Sequence, residues 1–305
     1  MTKKKYLPVV IAVLCIFCGF FLVSRPYAYA HEDAPQDHQA PPGQVHSAQT
    51  MSDAEVILEH KTEPERITAG TPTTVRFSLK DGKGNPVQGL SLHHDRILHV
   101  VIVGQDFSEF AHIHPEDFGP VTAEMKKDAT FQVKYNFPKS GRYLIGVDFA
   151  VGKKLFSKQF LVYAAGKPGM GFTWMDLSWE KKFGGLDVRL DPLQKDTTAG
   201  KEMRFRYLFK RKDKPVTNIE PYLSAPMHIA IVSGDLEHFI HTHGELPGMH
   251  PSGEHAHQMD MTLPKKFGPE IDFHVVFPAP GLYVIFGQVE RRGKVVLTKF
   301  MVKVE

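Results

Sequence analysis

Two short stretches carry the residue types best able to do chemistry. They are EFAHIHPED at 109–117 and HFIHTHGEL at 238–246. Each places His-x-His after a phenylalanine and before a glutamate. In an extended strand, residues i and i+2 project from the same face. His112 and His114 then form one imidazole pair, with Phe110 on the same face, and His241 and His243 form another. A third histidine opens an apolar run upstream of each pair: His99 in HVVIV and His228 in HIAIV. Each run reads as the neighbouring strand of a hairpin, so three imidazoles per half could grip a metal ion. Glu116 and Glu245 are candidates for a fourth ligand or for a partner that orients a ring.

The second set of three histidines follows the first at a constant offset of 129 positions. Other segments repeat with it. Thr68-Ala69-Gly70 returns as Thr198-Ala199-Gly200, VRFSLKDGKGNPV (75–87) as MRFRYLFKRKDKPV (203–216), and FPKSGRYLIGVDF (137–149) as FPAPGLYVIFGQV (277–289). The chain therefore duplicates a domain of ordinary size. Neighbours of the histidines differ between copies (Ala111 and Ile240, Ile113 and Thr242, Pro115 and Gly244) while the histidines persist. Asp148 aligns with Gln288, which argues against a catalytic acid common to both copies.

At the FPxxG stretch the offset has grown from 129 to 140, so the second copy carries about eleven extra residues. They fall in GMHPSGEHAHQMDM (248–261), within an expected insertion at 246–262. It holds His250, His255 and His257 with Met249, Met259 and Met261. Imidazole suits copper(II) and thioether sulfur suits copper(I). The plainer reading is a polar loop whose methionines cover apolar surface.

The elements that must position these groups are short and rich in Val, Phe, Tyr and Ile, with turn signals such as DGKGN (81–85) and PKSG (138–141) between them. No long helical period interrupts them. This is an all-β pattern, two tandem β-sandwiches at 53–164 and 172–305, joined by a Gly/Pro linker at 165–171. Residues 31–52, polar and rich in His, Pro and Gln, read as a disordered tail. Residues 1–30 read as a signal peptide: Lys3, Lys4 and Lys5 precede an apolar run from Leu7 to Val23, and Ala28-Tyr29-Ala30 is a small-x-small cleavage site. An uncleaved membrane anchor is the alternative. Cleavage after Ala30 would expose His31, whose amine and ring offer a chelate to copper(II).

Both cysteines, Cys15 and Cys18, lie in this leader. Disulfides, thiolate metal sites and cysteine nucleophiles are thereby excluded from the remainder, and so is a blue-copper centre. Taking Lys3, Lys4, Lys5 and Arg25 from the 37 basic residues leaves 33 against 34 acids. Nothing in this balance points to nucleic acid. The remaining candidates take structural readings: His93 and His94 as solvated loop residues, His60 and His274 as strand residues without a histidine partner, and Trp174 and Trp179 as packing at the start of the second copy.

The combination of a strand-opening histidine, His-x-His-Pro-Glu and F-P-x-x-G-x-Y resembles the YtkA-like domains of bacterial extracytoplasmic proteins. The resemblance covers most of 55–163 and 185–304. It implies small immunoglobulin- or cupredoxin-like sandwiches associated with copper or other metal handling, with His99, His112, His114, His228, His241 and His243 as the positions carried over. The expectation is a secreted or periplasmic, non-enzymatic protein that binds copper, with zinc as the alternative ion. It would store the metal, deliver it or confer resistance, with an envelope or membrane metal-transport protein as a partner. Two other readings stand beside it: a β-sandwich scaffold or adhesion module with structural histidines, and, more remotely, a cupin-like metalloenzyme.

Overall fold

A computed structural model describes residues 56–167, 176–249 and 263–305. The first copy contains β1 (Ile57–Glu63), β2 (Pro72–Lys80), β3 (Leu90–Ser91), β4 (Leu98–Gly104), β5 (Phe110–Ile113), β6 (Thr130–Asn136), β7 (Gly141–Val151) and β8 (Lys154–Ala164). The second contains β9 (Glu180–Phe183), β10 (Leu186–Pro192), β11 (Glu202–Arg211), β12 (Lys214–Pro215), β13 (His228–Ser233), β14 (Phe239–His243), β15 (Glu270–Val276), β16 (Gly281–Arg291) and β17 (Lys294–Val304). The all-β expectation holds: the described residues include a single short α-helix, Ala123–Lys127. The expected signal peptide, the expected tail with His31, residues 168–171 of the linker, Trp174, and His250, His255, His257, Met259 and Met261 lie outside the described residues.

Each copy folds as a sandwich of antiparallel sheets. In the first, β1-β2-β6 faces a sheet in which β7 pairs with β3, β4 and β8, and β4 with β5. In the second, β9 to β12 with β15 face β14-β13-β16-β17. Strand β2 alternates buried and more exposed positions, as a strand with one covered face must. Val75, Phe77 and Leu79 meet Val100, Ile102 and Ile145 in the first core. Tyr207, Phe273, Ile229 and Ile285 do the equivalent work in the second.

The F-P-x-x-G-x-Y stretch is a structural corner in both copies. The Tyr143 hydroxyl donates to the Lys139 carbonyl at 2.9 Å, and that of Tyr283 donates to Ala279 at 2.8 Å. Gly141 is needed there: its φ is +130°, and a Cβ would meet the Gln105 side chain at 2.8 Å. This back-bonded tyrosine is a feature of immunoglobulin-like sandwiches.

Strands β4 and β13 are buried at every position, so they cannot have one face in water. Their second faces are covered by the other copy. Val101, Val103 and Leu144 of the first sandwich pack with Ala230, Val232, Val284, Phe286 and Met301 of the second in a third apolar core. Complementarity across it is asymmetric. Phe110 stacks on Phe286 at 4.5 Å, whereas Phe239 lies over Gly146, where a Cβ would fall 2.3 Å from its ring. The copies differ where one must yield room to the other.

Gly146→Ala is therefore expected to destabilise the protein by about 1–3 kcal/mol, the usual cost of overpacking. Trimming Phe239 to Leu in the same background should recover part of it, measured by urea unfolding. Simply additive losses from the two substitutions would show that the Gly146–Phe239 contact does not limit the interface.

Candidate metal centre

The interface between the sandwiches ends in histidines. On β4, positions 101 and 103 enter the interdomain core, so position 99 follows them on the same face. On β5, Phe110 and His112 share that face, and Phe239 and His241 repeat the pattern on β14. His228 lies on the equivalent face of β13, two residues before Ala230. The hairpin expectation holds in both copies, with β4 paired to β5 and β13 to β14, and His228 directly opposite His243.

What the single strands do not reveal is that the two sets meet. His99, His112, His228 and His241 each offer one ring nitrogen, all within 4.8 Å of one another. The six ring-centroid separations run only from 5.1 to 5.7 Å. Four points with nearly equal separations form a tetrahedron. Two of the four rings come from each sandwich.

The outward ring nitrogens fix which lone pairs face inward. His99 Nε2 donates to the His93 carbonyl at 2.8 Å, and His228 Nε2 donates to the Tyr222 carbonyl at 3.0 Å. A carbonyl only accepts, so each ring carries its proton on Nε2 and presents an Nδ1 lone pair. His112 Nδ1 donates to Gln288 Oε1 at 2.8 Å, and His241 Nδ1 lies 2.6 Å from Asp148 Oδ2. Both therefore present Nε2 lone pairs. His99 Nδ1 and His112 Nε2 approach to 3.0 Å as two acceptors. His228 Nδ1 and His241 Nε2 are buried with no hydrogen-bond partner among the described residues. A buried unsatisfied acceptor costs about 1–3 kcal/mol, and a cation between four of them removes that cost. The donor set thus fits a tetrahedral transition ion, for which nitrogen ligands stand about 2.0–2.1 Å from the metal.

Asp148 and Gln288 occupy equivalent places and perform equivalent tasks. Each pairs across its own sheet with the strand-opening histidine, Asp148 with His99 and Gln288 with His228. Yet each orients a histidine of the other copy. Their difference in type excludes a shared acid, as expected, but not a shared orienting role. The signal available was one polar residue in the same register within the apolar stretches YLIGVDF and YVIFGQV of two strands.

The remaining candidates divide. His114 is buried beside this group, its Nε2 3.3 Å from that of His112 and its Nδ1 held by Asp117 at 3.2 Å. His243 instead joins His93 and His94, again with ring nitrogens within 4.8 Å. The expectation that His93 and His94 are solvated is corrected: both are half-buried, and His94 lies 3.8 Å from the His243 ring. Neither glutamate joins either group. Glu116 accepts the Ile97 amide at 2.8 Å, and Glu245 lies 3.5 Å from His274. Met249 packs on the second core rather than on the histidines. His60 stacks on Phe160, and Trp179 is exposed rather than packed.

Burial, reinforced by the neighbouring imidazoles, pushes the pKa of His94 down to about 4 and that of His228 to about 2, and drives His99, His112 and His243 far below the ordinary value. In the unfolded chain these rings titrate near 6.5. Below that pH the unfolded state binds more protons than the folded state, so stability falls as pH falls and is fully present above about 6.5. The urea midpoint of the metal-free protein is expected to drop steadily from pH 6.5 toward 4, and His94→Leu should make that decline shallower. A flat profile in the parent protein would contradict a neutral buried cluster.

No curated protein matches the chain. Among solved structures it is similar to the adhesin InvE of Yersinia pseudotuberculosis, at 12% identity and a TM-score of 0.23 over 83% of this chain. It is also similar to the Escherichia coli adhesin FdeC, at 12% identity and a TM-score of 0.24 over 84% of this chain. The chain spans 60% and 66% of the lengths of those two structures. The domain of unknown function DUF8832 matches it twice, over residues 49–166 and 181–305, one match on each sandwich, and the chain belongs to that family as a tandem pair.

Proposed function

We propose that this protein binds a late first-row transition metal ion at the junction of its two sandwiches, and holds or passes on that ion without catalysing a reaction. The observation that carries the reading is the convergence of four imidazoles whose outer ring nitrogens face polar groups outside the cluster, three in hydrogen bonds and that of His241 2.6 Å from the Asp148 carboxylate. Imidazole sets suit copper and zinc, and copper(II) stands highest among the divalent ions in affinity. The tetrahedral disposition suits zinc as well, so copper comes first and zinc second. Four protein ligands make a closed site, which favours holding an ion over activating a water on it. Secretion or a periplasmic location, and an envelope metal-transport partner, belong to the same proposal. Among the described residues no helix is long and apolar enough to cross a membrane.

A second reading is a scaffold or adhesion module. The apolar interdomain core supports it, because that packing requires no ion. The two readings differ in what the histidines do.

Copper(II) and zinc titrations of the metal-stripped protein separate them. Because the site is shared, His112→Ala, His241→Ala and the double variant should each lose the same, tightest ion. Two independent sites would instead lose one ion with each single change. Binding no tighter than that of a generic His-rich peptide would leave the scaffold reading. Asp148→Ala should weaken the tightest site about 10–100-fold by freeing the His241 ring, the usual effect of removing an orienting partner. Unchanged affinity there would mean that the aspartate does not orient the ligand.

A further inference from the structure

His93, His94 and His243 stand outside the four-imidazole set, yet adjoin it. His94 lies 5.5 Å from His228, and His93 lies 6.1 Å from His99, by ring centroids. His243 Nε2 is buried without a hydrogen-bond partner among the described residues, an unsatisfied polar atom beside two further imidazoles. The two copies are not equivalent here. At the positions 129 residues after His93 and His94, the second copy has Tyr222 and Leu223. The loop geometry is nevertheless shared: His94 and Leu223 have φ of +47° and +48°, and the carbonyls of His93 and Tyr222 accept from His99 and His228 alike. The fold therefore needs neither imidazole at those two places. A second difference lies at the partner residue. Asp117, which holds His114, is replaced at the equivalent position by Leu246. His114 is thus tied to a carboxylate, whereas His243 faces His93 and His94.

We infer that His93, His94 and His243 form a second metal position beside the four-histidine site, making the junction a two-ion centre for copper or zinc. The inference rests on the reading of the four-histidine site as a metal centre. Three imidazoles leave a tetrahedral ion one open position, in contrast to the closed inner set. All three outer histidines are partly exposed, whereas three of the inner four are buried. An ion there can take a small exchangeable ligand such as water, or a donor from a delivering protein. The outer position would load and unload the centre, and the inner one would retain the ion.

The second copy supplies the test substitutions. His93→Tyr with His94→Leu installs residues that the equivalent loop already tolerates. His243→Gln serves as an independent variant, and a urea melt confirms that each is folded. Purified chains would be stripped, loaded with excess copper(II) or zinc, separated from free ion and analysed for metal, with electron paramagnetic resonance of the copper forms. The parent is expected to retain one ion more than either variant. Its copper spectrum should show spin–spin coupling between neighbouring ions, and the variants should show an isolated copper(II) signal. Equal ion counts with unchanged spectra would overturn the second position while leaving the inner site intact. Loss of all ions from a folded variant would also overturn it, since the histidines would then share one ion. Failure of the inner-site reading is separately visible, as retention of all ions by His112→Ala/His241→Ala.

Discussion

The organising constraint is the burial of imidazole lone pairs at the meeting of two apolar sheets. A neutral imidazole has one donor and one acceptor nitrogen. In this protein the outer nitrogens of His99, His112 and His228 are hydrogen-bonded at the periphery, to two backbone carbonyls and an amide oxygen, and that of His241 lies 2.6 Å from the Asp148 carboxylate. The acceptors can then only face one another. Protonation of His99, His112 and His228 is opposed by burial, and the lone pairs are opposed by their own proximity. The proposed metal ion resolves both at once, which is why the ring orientations, and not merely the number of histidines, carry the functional reading.

Duplication makes this arrangement possible and divergence completes it. One domain supplies two inward imidazoles at the end of a hairpin, and the second copy supplies two more. The copies then part company wherever the interface would collide with itself. Gly146 makes room for Phe239, while its counterpart Phe286 stacks on Phe110. Asp148 and Gln288 differ in charge but reach across the same junction. His93 and His94 meet Tyr222 and Leu223 at equivalent loop positions. An interface between identical surfaces could not have used these complementary differences.

Much of the fold was legible because its signals are local. Alternation along β2, the turn residues between strands, and the repeated F-P-x-x-G-x-Y corner all depend on neighbours a few residues away. Five of the six histidines lie in strands and were legible for the same reason, since i and i+2 share a strand face whatever surrounds it; His114 falls just past the end of β5. The unbroken burial of β4 and β13 was written in HVVIV and HIAIV, runs too apolar for a strand with one wet face. Such a run does not name what covers the second face. His93 and His94 were misread as solvated because a polar loop in sequence carries no mark of the sheet that closes over it.

By itself, then, the sequence determined the strand class, the duplication, the hairpin that pairs each strand-opening histidine with its His-x-His, and the absence of cysteine after Cys18. These follow from periodicity, backbone stereochemistry and residue type. Only the tertiary structure decided that the two triads share one junction, that Asp148 and Gln288 orient rings of the opposite copy rather than Glu116 and Glu245, and that His243 turns toward His93 and His94. Those outcomes depend on how two sheets dock. Docking is set by side-chain complementarity between residues about ninety or more positions apart, as in Phe239 over Gly146 and Ser224 against Asp95. No local pattern encodes a contact of that range.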